Sequence, residues 1–114
     1  PHIIYIGYEE LYKSTDGGSS WNIITNNETN GGKIDQLQVS KSNPDIIYFS
    51  DNANIFKTID GGLTWNNLTG SLPNKTITSI TLNSTNEDRV WLTFSGYDNN
   101  EKVYFSDNKK TYFL

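Results

Sequence analysis

One short pattern that brings a carboxylate, a hydroxyl and an aromatic ring together occurs three times along the chain. Its members are Ser14, Asp16, Gly18 and Trp21 in the first copy, Thr58, Asp60, Gly62 and Trp65 in the second, and Asp107, Thr111 and Tyr112 in a third copy without glycines. Paired carboxylates can act as acid and base on a glycosidic bond, carboxylate oxygens can bind calcium, and a single carboxylate can close a tight turn. The three aspartates are 44 and 47 residues apart, so each belongs to one unit of a repeat.

The residues around each aspartate favour the last of these three roles, in which the carboxylate closes a tight turn. Asp16 and Asp60 are each followed by two glycines, which reach positive φ at low cost, and then by a tryptophan whose ring can cover the turn. We therefore predict that both carboxylates accept local backbone N–H bonds, that the indoles are mostly buried, and that no residue of the pattern is catalytic. The third copy has Asn108 and Lys109 in place of the glycines and should form a looser corner.

Charge, histidine and cysteine content exclude several classes of partner. The net charge is −4, so a basic face for nucleic acid is not expected, and no run approaches the roughly 20 apolar residues of a membrane span. His2 is the only histidine, cysteine is absent, and the oxygen-rich residues 51–54 and 98–101 lack the spacing of an EF-hand loop. We predict no metal, no cofactor, no nucleic-acid partner and no direct insertion into a membrane.

The residues between the copies predict strands. Ile, Val, Thr, Tyr, Phe and Trp together number 42, whereas alanine occurs once and methionine never, so strand formers dominate. In the second unit, turns separate four segments near residues 34–40, 45–50, 54–59 and 64–68. Four strands in about 40–50 residues is the period of a β-propeller blade. The predicted fold is all-β, a β-propeller fragment of about two and a half to three four-stranded antiparallel blades.

The repeat also predicts how the chain is divided. Residues 1–114 form one partial propeller, with blade remnants at about 1–26, 33–70 and 76–114. The chain would enter at the second strand of one blade, near residues 3–7, and stop in the last strand of another, near residues 111–114. Because a propeller is stabilised by closing its ring, we expect the remaining blades in a longer parent chain.

One loop is the candidate site for a ligand or partner. The third unit is longer than the second by about four residues around residues 95–100, which hold Tyr97, Asp98 and Asn99. An exposed ring on such a loop can stack on a sugar or anchor a protein. The alternative is that Tyr97 covers the edge of its own blade.

Residues 14–21 and 58–65 resemble a known family motif. Ser-Thr-Asp-Gly-Gly-Ser-Ser-Trp and Thr-Ile-Asp-Gly-Gly-Leu-Thr-Trp are similar to the Asp-box, or BNR, pattern Ser/Thr-x-Asp-x-Gly-x-Thr/Ser-Trp. The resemblance implies a propeller of the kind found in sialidases, xyloglucanase-type glycoside hydrolases, sortilin-type receptors and photosystem assembly factors. Residues 72–80, 86–91 and 95–97 further resemble large secreted Bacteroidota proteins, many of which use type IX secretion. In these families the box forms the turn before the outermost strand, away from the reactive centre.

The chain lacks the residues that glycosidase chemistry of these families needs. Sialidase-type chemistry requires an arginine cluster, but Arg89 is the only arginine, and residues 8–10 are more simply the tip of a hairpin. The aspartates outside the pattern fall in turns or at strand edges, where a solvated carboxylate is ordinary. They are Asp35, Asp45, Asp51, Asp88 and Asp98. We predict no catalytic residue.

Three functions remain open. The residues favour a non-catalytic propeller segment of a larger secreted or cell-surface protein, which acts as a scaffold or interaction module. The alternatives are part of a glycoside hydrolase whose catalytic residues lie outside this chain, and a ligand-binding receptor propeller of the sortilin type. The resemblance implies an extracellular or surface location in bacteria. The partners would be the remaining blades, together with a polysaccharide or another surface protein.

Overall fold

The described part of the chain consists of three antiparallel sheets. A computed structural model describes residues 3–70, 75–83, 89–95, 103–107 and 110–113. The strands are β1 (Ile4–Gly7), β2 (Leu11–Ser14), β3 (Asn22–Ile23), β4 (Gln36–Val39), β5 (Ile47–Asp51), β6 (Asn54–Thr58), β7 (Asn66–Asn67), β8 (Ile77–Leu82), β9 (Val90–Phe94), β10 (Val103–Asp107) and β11 (Lys110–Phe113). These ranges hold no helix, so the all-β prediction is confirmed.

Each sheet is a meander in which neighbours in sequence are neighbours in space. The first sheet has the order β1-β2-β3, the second β4-β5-β6-β7 and the third β8-β9-β10-β11. Every pairing within them is antiparallel. The predicted four-stranded unit is therefore present in the second and third sheets. The first sheet has three strands among the described residues.

The second sheet is buried on one side against the third. Successive side chains of a strand point to opposite sides of the sheet, which places Tyr48 of β5 and Ile55 of β6 on this side. The resulting core is made of Tyr48, Ile55, Ile77, Ile80, Val90, Leu92 and Phe94. β9 contributes the alternate positions Val90, Leu92 and Phe94, whereas β8 contributes Ile77 and Ile80, three residues apart, because its register on β9 shifts between Ile77 and Ser79.

The opposite side of the second sheet faces the first sheet. Phe49 stacks on Phe56 with the ring centroids 4.9 Å apart, and Trp65 lies edge-on to Phe49, also at 4.9 Å. Ile47 and Phe49 have no exposed surface. Because β5 is covered on both sides, its residues 47–50 form a continuous buried run instead of an alternating one.

Short backbone contacts fix the connection between consecutive sheets. The N–H of Ile34, just before β4, donates to the carbonyl of Tyr8 in the first sheet's hairpin at 2.6 Å. The N–H of Ile77, which begins β8, donates to the carbonyl of Asn52 in the second sheet's hairpin at 2.8 Å. Each four-stranded sheet is thus attached where its first strand begins.

Candidate functional site

The first two copies of the repeated pattern form the same corner at the end of a strand. The first corner (residues 14–21) connects β2 to β3, and the second corner (residues 58–65) connects β6 to β7. A buried hydroxyl organises each corner. Thr58 Oγ1 accepts the N–H of Asp60 at 3.3 Å and of Gly62 at 3.0 Å, and it donates to Asp60 Oδ1 at 2.6 Å. Ser14 makes the equivalent three bonds, at 3.3, 2.8 and 2.8 Å.

The carboxylate closes the other half of the corner. Asp60 Oδ1 accepts the N–H of Thr64 at 3.0 Å, and Oδ2 accepts the Thr64 hydroxyl at 2.6 Å. Asp16 accepts the N–H and hydroxyl of Ser20 in the same way, at 2.9 and 2.6 Å. The predicted local backbone bonds to Asp16 and Asp60 are therefore present, with hydroxyl donors added on both sides.

These hydrogen bonds stabilise the ionised form of both aspartates. The Ser20 hydroxyl, the Ser20 N–H and the Ser14 hydroxyl lower the pKa of Asp16 to about 2. The Thr58 hydroxyl, followed by the hydroxyl and N–H of Thr64, lowers the pKa of Asp60 to about 2. A carboxylate with such a pKa is unprotonated at neutral pH, and its lone pairs are already used by the turn. It is suited to shaping the backbone and poorly suited to general acid catalysis.

Glycine is required where the second corner approaches the first sheet. Gly62 has a φ of 97°, a region that residues with a side chain rarely adopt. A Cβ at this position would also lie 2.8 Å from Cβ of Ile24. Gly18 has a similar φ of 100°. A Cβ at Gly18 would lie at ordinary van der Waals distances from its nearest neighbours.

The two corner tryptophans have different environments. Trp65 Nε1 donates to the carbonyl of Ile24 in the preceding sheet at 2.8 Å, and the side chain is partly buried. Trp21 Nε1 donates to Gly18 in its own corner at 3.1 Å, and 37% of Trp21 is exposed. The burial that the sequence predicts for the indoles is therefore not reached at Trp21. The reason is geometric, since a sheet covers Trp65 and none of the described residues covers Trp21 in the same way.

The third copy of the pattern differs from the first two. Asp107 ends β10 and pairs directly with Lys110, while Thr111 and Tyr112 of β11 pair with Ser106 and Phe105. Residues 108 and 109, which form this corner, lie outside the described residues, so the looser corner stays a prediction. The candidate loop residues Tyr97, Asp98 and Asn99 lie outside the described residues.

A second repeated hydrogen bond, which the sequence patterns did not predict, lies after each corner. The Thr25 hydroxyl accepts the N–H of Leu11 at 3.0 Å, and the Thr69 hydroxyl accepts the N–H of Ile55 at 3.1 Å. These bonds extend the pairing of the short strands β3 and β7, whose ladders contain only two residue pairs each. The signal was available, because a threonine follows the corner tryptophan by four residues in both units.

Two carboxylates outside the corners lie near each other beside the β5–β6 hairpin. Burial, and then the charge of Asp35, raises the pKa of Asp51, while the N–H of Lys33 opposes the shift. Asp35 Oδ2 accepts the N–H of Asn52 at 2.7 Å, so this carboxylate also shapes a turn. Within the described ranges, no cluster of three or more acidic, histidine or cysteine side chains could hold a metal ion. The same ranges contain no helix that is long and apolar enough to cross a membrane.

With this geometry established, comparison with known proteins identifies the family. The family model Sortilin-Vps10 (sortilin, neurotensin receptor 3) matches residues 9–113. The chain belongs to the Sortilin-Vps10 family. No curated protein matches the sequence.

Solved structures similar to this Sortilin-Vps10 chain have the propeller fold. An ancestral GH74 enzyme shares 20% identity at a TM-score of 0.74 over 99% of this chain and 17% of its own. The GH74 enzyme of Niastella koreensis shares 21% identity at a TM-score of 0.74, over 98% of this chain and 19% of the enzyme's chain. YCF48 bound to D1 peptide shares 17% identity at 0.70 over 98% of this chain and 36% of its own. The three sheets are therefore propeller blades, and the chain spans less than two fifths of each of these proteins.

Proposed function

We propose that this chain is a non-catalytic propeller segment of a larger secreted or cell-surface protein, in which it acts as a scaffold or interaction module. The corners carry the proposal. Asp16 and Asp60 repeat with the blades, and each uses its carboxylate to bind the hydroxyl and N–H of its own turn. Residues that recur once per blade in the same local network serve the blade, whereas a catalytic pair would be needed once per propeller.

The partners are first of all other blades. The similar propellers are three to six times longer than the part that this chain covers, which supports a role within a larger ring. The family match favours a second function, ligand binding in a receptor propeller. The peptide present in the YCF48 structure also favours a polypeptide as the partner. A polysaccharide partner, or a glycoside hydrolase with catalytic residues outside this chain, is the alternative suggested by the GH74 enzymes.

Hydrolysis and binding assays on the purified chain test the proposal. We expect no release of reducing sugar from xyloglucan and no hydrolysis of a sialoside. Hydrolysis that is lost in Asp51→Asn and retained in the matched variant Asp45→Asn would show a catalytic carboxylate and overturn the proposal. Titration with neurotensin separates the scaffold from the ligand-binding receptor propeller. Heat of binding would favour the receptor, and its absence would favour the scaffold.

A further inference from the structure

The segment between β3 and β4 contains the one Asn-Gly pair of the sequence, Asn30-Gly31. Both residues are exposed and have positive φ, 53° at Asn30 and 86° at Gly31. Because glycine has no Cβ, nothing shields its backbone nitrogen from the side chain of the preceding residue. The space around Gly31 is also open, since a Cβ built there would have no neighbouring atom within 4 Å. An asparagine before such a nitrogen can be attacked at its side-chain carbonyl carbon.

The Asn30 side chain is not held away from this nitrogen. Among the described residues, none forms a hydrogen bond with it. Other asparagines in turns use their side-chain oxygen to fix the local structure. Asn43 accepts the N–H of Asp45 at 3.1 Å, and Asn67 accepts the N–H of Thr69 at 2.9 Å. The Asn30 amide can therefore rotate towards Gly31, whereas these amides are restrained.

Asn27 contacts the attacking atom instead. Its Oδ1 accepts the N–H of Gly31 at 3.2 Å, at the long end of the range for such a bond. The backbone nitrogen becomes a nucleophile only after it loses this proton. An acceptor that binds the N–H therefore competes with the reaction, and a weak one slows it without preventing it.

We propose that Asn30 is a site of spontaneous deamidation in the folded protein and that the Asn27 side chain limits its rate. The Gly31 nitrogen gives its proton to solvent base and attacks Cγ of Asn30. The new N–Cγ bond forms, the Cγ–Nδ2 bond breaks, and the leaving nitrogen takes a proton from solvent and departs as ammonia. Water then opens the succinimide ring at either carbonyl carbon, which leaves an aspartate or an isoaspartate at position 30.

The two Asp-Gly pairs of the corners should not follow this route. Asp16 and Asp60 are also followed by glycine, but a carboxyl group is attacked in this way only when it is protonated, because water can then leave. Both carboxylates are ionised at neutral pH, and their oxygens are held by the hydroxyl and N–H groups of Ser20 and Thr64. The reaction is thus directed to the segment between the blades.

An isoaspartate at position 30 would loosen the attachment of this segment to the first blade. The Thr29 hydroxyl is buried and lies 3.1 Å from the carbonyl oxygens of both Glu9 and Gly32, to which it donates. The N–H of Gly32 donates back to the carbonyl of Thr29 at 3.0 Å. Isoaspartate adds one methylene group to the backbone between Thr29 and Gly32, so this closed set of bonds cannot be kept unchanged.

Incubation of the purified chain at mildly alkaline pH, followed by peptide mapping, measures the reaction. We expect Asn30 to convert to a mixture of aspartate and isoaspartate, while Asp16 and Asp60 keep normal backbones. Asn27→Asp should slow the conversion by about threefold or more, because a carboxylate beside the Gly31 N–H disfavours its deprotonation. The matched control is Asn26→Asp, which adds the same charge at an exposed neighbour whose side chain forms no hydrogen bond with the described residues. The control should convert at nearly the unchanged rate.

A comparison of the folded chain with the chain unfolded in urea needs no substitution and keeps the test decisive. Conversion of Asn30 in urea without conversion in the folded chain would show that the fold protects the site and would overturn the proposal. Equal rates in Asn27→Asp and Asn26→Asp would overturn the role of Asn27. Amide hydrogen exchange at Gly32 should become faster in the isoaspartate fraction, and unchanged exchange there would contradict the loosening of the segment.

Discussion

At the scale of single residues, the Thr58 hydroxyl at the end of β6 organises the second corner together with Asp60. Thr58 is completely buried and satisfies the N–H groups of both Asp60 and Gly62. Thr58→Val keeps the shape of the side chain but leaves these donors without an acceptor. We expect a loss of about 1–3 kcal/mol in the free energy of unfolding, measured by urea denaturation. Thr15→Val, at an exposed neighbouring position, is the control and should change stability little.

The corner aspartates should make the protein sensitive to acid. Their folded pKa of about 2 lies below the unfolded value near 3.8, so the unfolded chain binds protons first as the pH falls. Their stabilising contribution is complete above about pH 4 and is lost as the pH falls towards 2. Asp51 acts in the opposite direction, because its raised pKa means that the folded state gains stability on protonation.

Melting temperatures at pH 5 and pH 2.5 measure this effect. We expect the melting temperature to fall less between pH 5 and pH 2.5 in Asp60→Asn than in the unchanged protein, because the amide at the second corner cannot titrate. An unchanged decrease in this variant would show that the acid sensitivity comes from other groups.

Ser50 is a residue whose replacement by alanine should not lower the stability of the protein and could raise it. Its Oγ is buried in the second blade and has no hydrogen-bond partner among the described residues. An unpaired buried hydroxyl costs about 1–3 kcal/mol relative to an apolar group, and Ser50→Ala removes it at the expense of a very small cavity. We expect stability to stay equal or to rise by about 1 kcal/mol, whereas Ser14→Ala should lower it. A clear loss in Ser50→Ala would indicate a partner for the hydroxyl.

At the scale of elements, the second corner connects its blade to the preceding one. Trp65 donates from the second corner to Ile24 of the first blade, whereas Trp21 makes its bond within its own corner. Trp65→Phe should therefore weaken the contact between blades, and Trp21→Phe should affect the first corner alone. We expect a larger drop in melting temperature for Trp65→Phe, with faster hydrogen exchange around Ile24. Equal effects of the two substitutions would argue against a role of Trp65 between blades.

The sequence predicts the elements well because they depend on local patterns. The alternation in residues 77–82 and the glycines after Asp16 and Asp60 point to β8 and to the two corners without any tertiary information. The same patterns miss the limits of β7, which is confined to Asn66–Asn67, because Thr64 and Trp65 belong to the corner. They also miss the exposure of Trp21 and the proximity of Asp35 to Asp51, since both depend on how separate segments come together.

At the scale of the whole molecule, the position of a blade in the stack decides how much its core residues contribute. Each blade contacts only its neighbours, so stability is approximately a sum over blades and the interfaces between them. The second blade has neighbours on both sides, and Ile47 and Phe49 are fully buried. In the first blade, the equivalent Ile4 and Ile6 are 39% and 50% exposed. Residues at equivalent positions of the two blades should thus contribute differently to the free energy of unfolding.

The matched substitutions Ile47→Val and Ile4→Val measure this difference directly. Removing one methylene group from a fully buried position costs about 0.5–1.5 kcal/mol, because the contacts around it are lost and the cavity closes incompletely. At the partly exposed Ile4, solvent already replaces much of that contact, and we expect a change below about 0.5 kcal/mol. Urea denaturation of both variants provides the comparison. Equal costs at the two positions would contradict a dependence of these contributions on the position of the blade.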